Sequence, residues 1–206
     1  MTASCHILNP ALAHNLDPEA VAWDSQQAAA AACGDGEAFR RLVERHGTAL
    51  HRFCHRFMGC EREAEDVCQE TFVRAWHALP RYQDRGQFRA WLWRIALHLC
   101  RDHARSRRVR TRWVCAWPAD REPEAFAPAA DSPDEAAALR SDLARLSRGM
   151  DLLPEGLRLP LWLCSIENLP QDECAAVLGL SVRAVESRIH RARRRLLAWW
   201  NEEAQK

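Results

Sequence analysis

Apolar side chains return every three or four residues along nearly every ordered-looking segment of this chain, a period that specifies helices rather than strands. Phe39, Leu42, Val43, His46, Leu50, Phe53 and Phe57 mark one face of a long amphipathic helix. Asp35, in CGDGEAF, is its expected N-cap, and Gly59 ends it. The alanine-rich stretch from Ser25 to Ala32 reads as a short preceding helix. The next helix starts near Glu61 and turns Ala64, Val67, Cys68, Thr71, Phe72, Ala75 and Leu79 inward. Glu61, Glu63, Glu65 and Asp66 suit the positive end of its dipole, and Pro80 stops it. After RYQDRGQ, Phe88, Trp91, Leu92, Ile95 and Leu99 supply the buried stripe of a third long helix.

The pattern breaks at Trp113. WPADREPEAFAPAADSPDE holds four prolines, several acids and no helical period, as an extended linker does. Helical spacing resumes near Glu135 with Leu139, Leu143 and Leu146 and runs to Trp200. The expected fold is all-α: two small helical domains joined by a flexible acidic linker. The expected boundaries are an N-terminal extension over 1–23, a first domain over 24–112, the linker over 113–134, a second domain over 135–200 and a tail over 201–206. No apolar run is long enough to span a bilayer, and the first residues lack the basic and apolar regions of a secretory signal, so membrane insertion is not expected and a cytoplasmic location is. None of the nine cysteines forms a C-x-x-C pair, so no zinc knuckle or redox motif is written here.

The formal net charge is only +1, yet charge is strongly segregated. Arg101 to Arg112 carries six arginines and one aspartate, Asp120 to Glu135 six acids and one arginine, and Arg183 to Arg195 six arginines and one glutamate. Two basic segments flanking an acidic one imply two anion-binding surfaces. The second lies in QDECAAVLGLSVRAVESRIHRARRRL, which reads as a helix-turn-helix. Ala175 permits a close helix crossing, Gly179 suits the turn, and Ser181 is the expected N-cap of the second helix. Val185, Ile189, Ala192 and Leu196 face inward, leaving Arg183, Ser187, Arg188, His190, Arg191 and Arg194 outward. An apolar back and a basic front fit a helix to the DNA major groove.

EDVCQETFVRAWHALPRY with GQFRAWLWRIALHLCRDHARSRR resembles region 2 of bacterial sigma factors. LPEGLRLPLWLCSIENLPQDECAAVLGLSVRAVESRIHRARRRL resembles their region 4. With no third domain between them, the order resembles the extracytoplasmic-function (ECF) group of the sigma-70 family, over roughly Asp24 to Ala198. The resemblance implies a dissociable promoter-specificity subunit without catalytic residues or cofactors. Its partners would be core RNA polymerase, through the β′ clamp helices and the β flap, promoter DNA, and an anti-sigma factor. Asp66, Gln69 and Glu70 would contact polymerase, with Phe72 and Trp76 holding their helix in place. Trp93, Arg94, His98, Arg101, Asp102, Arg105 and Arg108 would open and hold the −10 element, and Trp91 reads as core from its register. His98 stands where the family commonly has asparagine, whereas Asp102 matches. Arg183, Glu186, Ser187, Arg188, His190, Arg191 and Arg194 would meet the −35 element. Glu186, often basic in the family, suits acceptance from cytosine N4. The linker would pass through the polymerase cleft, its charge mimicking nucleic acid.

Two other readings fit parts of the chain. A helix-turn-helix regulator would bind operators without serving as a polymerase subunit. A thiol or metal sensor would use His51 and His55, spaced to chelate on one helix, with Cys54 between them. Cys54 lies near the apolar stripe, where cysteine is commonly a small buried hydrophobe, and no metal ligands are assigned.

Overall fold

The computed structural model of the protein describes residues 18–84, 86–110 and 133–203. Among these residues the regular structure is entirely helical: α1 (Pro18–Ala32), α2 (Gly36–Met58), α3 (Glu61–Ala78), α4 (Phe88–Arg110), α5 (Pro133–Asp151), α6 (Glu155–Ser165), α7 (Gln171–Leu178) and α8 (Val182–Glu203), with a 3₁₀ turn at Leu79–Arg81. The expected linker over 113–134 falls almost wholly outside the described residues.

The helix ends follow local chemistry. Asp35 caps α2 by accepting from the backbone N–H groups of Glu37 at 2.9 Å and Ala38 at 3.1 Å. Gly59 closes the same helix in the left-handed region, at φ 80°, where a side chain is disfavoured. The first helix corrects the expected boundary: α1 begins at Pro18 rather than Ser25 and so takes in part of the expected N-terminal extension. Pro18 opens it at the position where a missing N–H is harmless. Further along, the buried Asp24 carboxylate lies 3.1 Å from the His46 ring nitrogen of α2, and Arg45 lies over the Trp23 ring at 4.7 Å. These ties lie outside any local periodicity, which is why alanine content alone places the start too late.

Helices α1 to α4 enclose Leu42, Leu50, Phe53, Val67, Leu79, Leu92 and Leu97, while α6 to α8 enclose Leu159, Leu163, Val185 and Ala192. The two cores are continuous. Phe53 of α2 has Trp93 of α4 at 5.0 Å and Trp162 of α6 at 5.4 Å, and α4 packs directly on α7. At the other end of the second unit α5 crosses α8 so closely that a Cβ on Gly149 would lie 2.5 Å from Trp199 and 2.6 Å from Leu196.

Candidate nucleic-acid and polymerase interfaces

The helix-turn-helix is built by three local devices. Gly179, at φ 66°, ends α7 in the left-handed conformation. The Leu180 N–H then donates to the Ala175 carbonyl at 2.9 Å, drawing the turn tight. Ser181 Oγ accepts from the Ala184 N–H at 3.2 Å and starts α8. Val185, Ile189, Ala192 and Leu196 are buried against the unit, so α8 can rotate only one way. That register exposes Arg183, Glu186, Ser187, His190, Arg191 and Arg194, and leaves Arg188 half-buried beside Gly156. Arg191 Nε donates to the Ser187 carbonyl at 3.3 Å, which lays its guanidinium along the outer face. The α8 front is therefore an open surface dominated by arginine.

A second open surface runs along α3. Asp66 and Gln69 are exposed, and Glu70 is paired with Arg74 at 2.7 Å on the same face. Phe72 is buried, and the half-buried Trp76 ring lies 5.0 Å from Phe39 of α2, so both fasten the helix to its neighbour. Sequence reasoning missed Val73, which is 50% exposed in the midst of the acidic face. Its helical spacing from Asp66, Gln69 and Glu70 is the signal that would have found it.

The residues expected on the −10 surface lie on α4, and here the structure departs from expectation. Trp93 is 2% exposed and packs on Phe53, so it offers no face to a base in this arrangement. Trp91 is the half-buried one, 4.6 Å from Tyr82 and 5.7 Å from Phe88. A helix packed on two sides buries a wider arc than one stripe, so both tryptophans fall within it. Arg94 donates from Nε to the Ala176 carbonyl of α7 at 3.0 Å, and its Nη2 donates to the same oxygen. Arg101 pairs with Glu155 of α6 at 3.0 Å. His98 Nδ1 donates to the Arg94 carbonyl at 2.8 Å, while Asp102 and Arg105 are exposed. The Arg108 side chain lies outside the described residues.

The contact between the two units is markedly polar for a buried one. Arg89 Nε meets Glu173 Oε2 at 2.7 Å, with the Glu173 side chain only 2% exposed. Glu167 accepts from the Trp162 indole N–H at 3.2 Å and has Arg52 at 3.9 Å. Burial raises the pKa of both carboxyls from the ordinary 4.5, although the neighbouring arginines pull the other way. Asp24, His46, Arg89, Trp93, Glu167 and Glu173 line a cavity of about 390 Å³ at this seam.

Among the described residues, most of the cysteines are packed in the helical interior. Cys54, Cys68, Cys100 and Cys174 are buried, Cys60 and Cys164 are half-buried, and Cys33 is exposed. Cys5 and Cys115 lie outside the described residues. Cys54 and Cys100 sulfurs lie 4.0 Å apart, and their mutual hydrogen bond, with burial, raises the Cys54 pKa. Burial pushes the Cys68 thiol up to about 12. Such thiols are poor nucleophiles and poor redox sensors.

Two family models match the chain, Sigma-70 region 2 over residues 42–110 and Sigma-70 region 4 over residues 143–196. The chain is 43% identical to RNA polymerase sigma factor CnrH of Cupriavidus metallidurans, over 87% of its own length and 95% of that protein's. It is 39% identical to the ECF RNA polymerase sigma factor SigE of Mycolicibacterium smegmatis, over 75% of its own length and 58% of that protein's. The chain belongs to the ECF group of the sigma-70 family. A solved structure of CnrH in complex with the cytosolic domain of CnrY superposes with a TM-score of 0.65 at 39% identity, covering 87% of this chain and 98% of that one. This ECF sigma factor is thus an alternative sigma factor: it works with core RNA polymerase and promoter DNA to direct transcription. No helix among the described residues is long and apolar enough to cross a membrane.

Proposed function

We propose that the labour of this sigma factor is divided among three helices. The acidic face of α3, with Asp66, Gln69 and Glu70 around Val73, docks on the clamp helices of the polymerase β′ subunit. The second unit rests on the β flap and presents the α8 front, from Arg183 to Arg194, to the −35 element. The basic side of α4, with Arg94, His98, Arg101, Asp102, Arg105 and Arg108, receives the −10 strand. The chain is not an enzyme, acts in the cytoplasm, and supplies positioning and charge to a reaction that polymerase catalyses. The solved CnrH structure includes the cytosolic domain of a second protein. By that likeness an anti-sigma factor is the proposed regulator here.

The single observation that supports this reading best is the register of α8. Its buried Val185, Ile189, Ala192 and Leu196 force every DNA-reading candidate outward except the half-buried Arg188. The structure also gives the three surfaces different availability. The α3 and α8 faces are open, whereas Arg94 and Arg101 of α4 are bonded to the second unit and Trp93 is covered. The compact form can therefore meet polymerase, but α4 is free for single-stranded DNA only after the two units part. The test is transcription in vitro with core polymerase on genomic fragments. Run-off products that appear only with this protein are expected, along with poor binding of promoter duplex by the protein alone. Tight sequence-specific binding without core enzyme, and no dependent transcripts, would overturn the assignment.

A further inference from the structure

The corner between α2 and α3 gathers four side chains that none of the three surfaces uses. Gly59, in the left-handed conformation, turns the chain sharply, so the last turns of α2 face the first turns of α3. His51 and His55 lie one turn apart on α2, and Glu61 and Glu65 one turn apart on α3. His51 Nε2 is 3.2 Å from one Glu61 oxygen, and His55 Nε2 is 3.1 Å from the other. Ligand atoms of His51, Glu61 and Glu65 all lie within 4.8 Å of one another. The two imidazoles are nearly parallel, at 7°, with centroids 6.4 Å apart. Both are about a third exposed, which leaves an entry path from solvent.

We propose that this corner is a binding site for a first-row divalent transition-metal ion. His51 Nε2 and the Glu61 and Glu65 carboxylates are the ligands, and His55 is the positioning residue that holds Glu61. The spacing supports this. Donors bonded to zinc at about 2.0–2.2 Å stand roughly 3.3–3.5 Å apart in a tetrahedron, close to the present separation of His51 and Glu61. Glu65 is exposed and needs only a change of rotamer to close the set. A hydrogen bond from a second histidine to a ligating carboxylate is the usual outer support of such sites.

The donor set also selects the ion. One imidazole with two carboxylates suits zinc or its first-row neighbours, and three protein ligands leave room for water. Calcium prefers six to eight oxygens and magnesium an octahedron of oxygens, neither of which this corner supplies. Among the described residues no arginine pairs with Glu61 or Glu65, so a cation displaces no ion pair there except those with the histidines. Buried Cys54 points into the hydrophobic interior beside Cys100 rather than to this surface, which separates the site from the thiols.

The experiment uses the full chain, stripped with chelator and titrated with Co²⁺ and then Zn²⁺. One equivalent of Co²⁺ should give visible bands of nitrogen and oxygen coordination without the intense near-ultraviolet absorption of a thiolate complex. Zn²⁺ should displace it. Glu65→Gln should weaken Zn²⁺ at least tenfold while leaving the metal-free melting temperature unchanged, since Glu65 is exposed. His51→Ala should abolish the stoichiometric site, and His55→Gln should weaken it about ten- to a hundredfold, the range for outer-sphere partners. A fixed Zn²⁺ excess should raise the melting temperature of the parent chain clearly more than that of Glu65→Gln. A thiolate spectrum, binding untouched by His51→Ala and Glu65→Gln, or equal affinity for Mg²⁺ would each overturn the proposal.

Discussion

Arg191 and Arg195 both project from α8, two basic side chains that composition cannot tell apart. Position separates them. In the proposed docking, Arg191, in the first three turns of α8, would reach base edges, and Arg195, a turn further along, would meet phosphates as the helix leaves the groove. Arg191→Ala should therefore cost about 1–3 kcal/mol on the preferred promoter and relax preference at one or two −35 positions. Arg195→Ala should weaken all sequences alike and lower the salt dependence by about one phosphate contact. Promoter selection with each reconstituted holoenzyme at two salt concentrations checks both. If Arg191→Ala lowers every −35 sequence equally, Arg191 is a phosphate clamp and reading passes to Glu186, Ser187 and His190. At this scale the sequence exposes what is local. Asp35 and Ser181 are capping residues in the text and in the structure. Trp91 and Trp93 are not separable in the same way, because α4 has neighbours on two sides and a period reports only one. Glu61 and Glu65 likewise reach His51 through a corner whose angle no spacing encodes.

At the scale of the element, α3 and α5 give two tests of different kinds. The outer face of α3 carries its charge in solvent, so changing it should alter binding and not folding. Asp66→Arg with Glu70→Arg should lower affinity for core polymerase at least tenfold, about 1.4 kcal/mol or more. The lost Glu70–Arg74 pair is exposed and costs only about 0.3–0.5 kcal/mol of stability. A pull-down with unchanged polymerase recovery would show that another face docks. The α5–α8 crossing is the opposite case. Gly149→Ala sets a methyl against the Trp199 ring at 2.5 Å, and the overpacking should cost about 1–3 kcal/mol. Urea unfolding measures it, and an unchanged midpoint would mean that Trp199 swings aside freely. The long helices were readable because their apolar faces persist for several turns. The start of α1 was not, since the Asp24–His46 contact that extends its reach joins residues far apart in sequence.

For the whole molecule the question is what holds the two units together and when they part. Their seam includes the Phe53, Trp93 and Trp162 rings, which favour closure through burial. It also includes Glu167 and Glu173, whose burial opposes closure while they are charged. Both have a pKa raised above 4.5 in the closed form, so that form binds more protons than an open one between 4.5 and the raised values. Closure is therefore strengthened as pH falls through the raised values, and that gain is complete near 4.5; above the raised values the penalty stands in full. Removing a partner is a different matter. Arg89→Ala leaves Glu173 buried without its strongest cation, a defect that can cost about 3–5 kcal/mol in a fixed core. Here the molecule can avoid that cost by opening, so the effect should appear as expansion rather than unfolding. Small-angle scattering of the full chain at pH 7.5 and 4.5 follows both. The parent protein should become more compact at the lower pH, and Arg89→Ala should be more extended than the parent at pH 7.5 with its helical content intact. Glu167→Gln with Glu173→Gln, which makes both groups permanently neutral, should stay compact at both pH values. His46 lies at the same seam and is present in all three proteins, so the difference between parent and double variant isolates the carboxyls. Expansion of the parent on acidification, or the same pH response in the double variant, would show that something other than these two buried acids governs the release of α4.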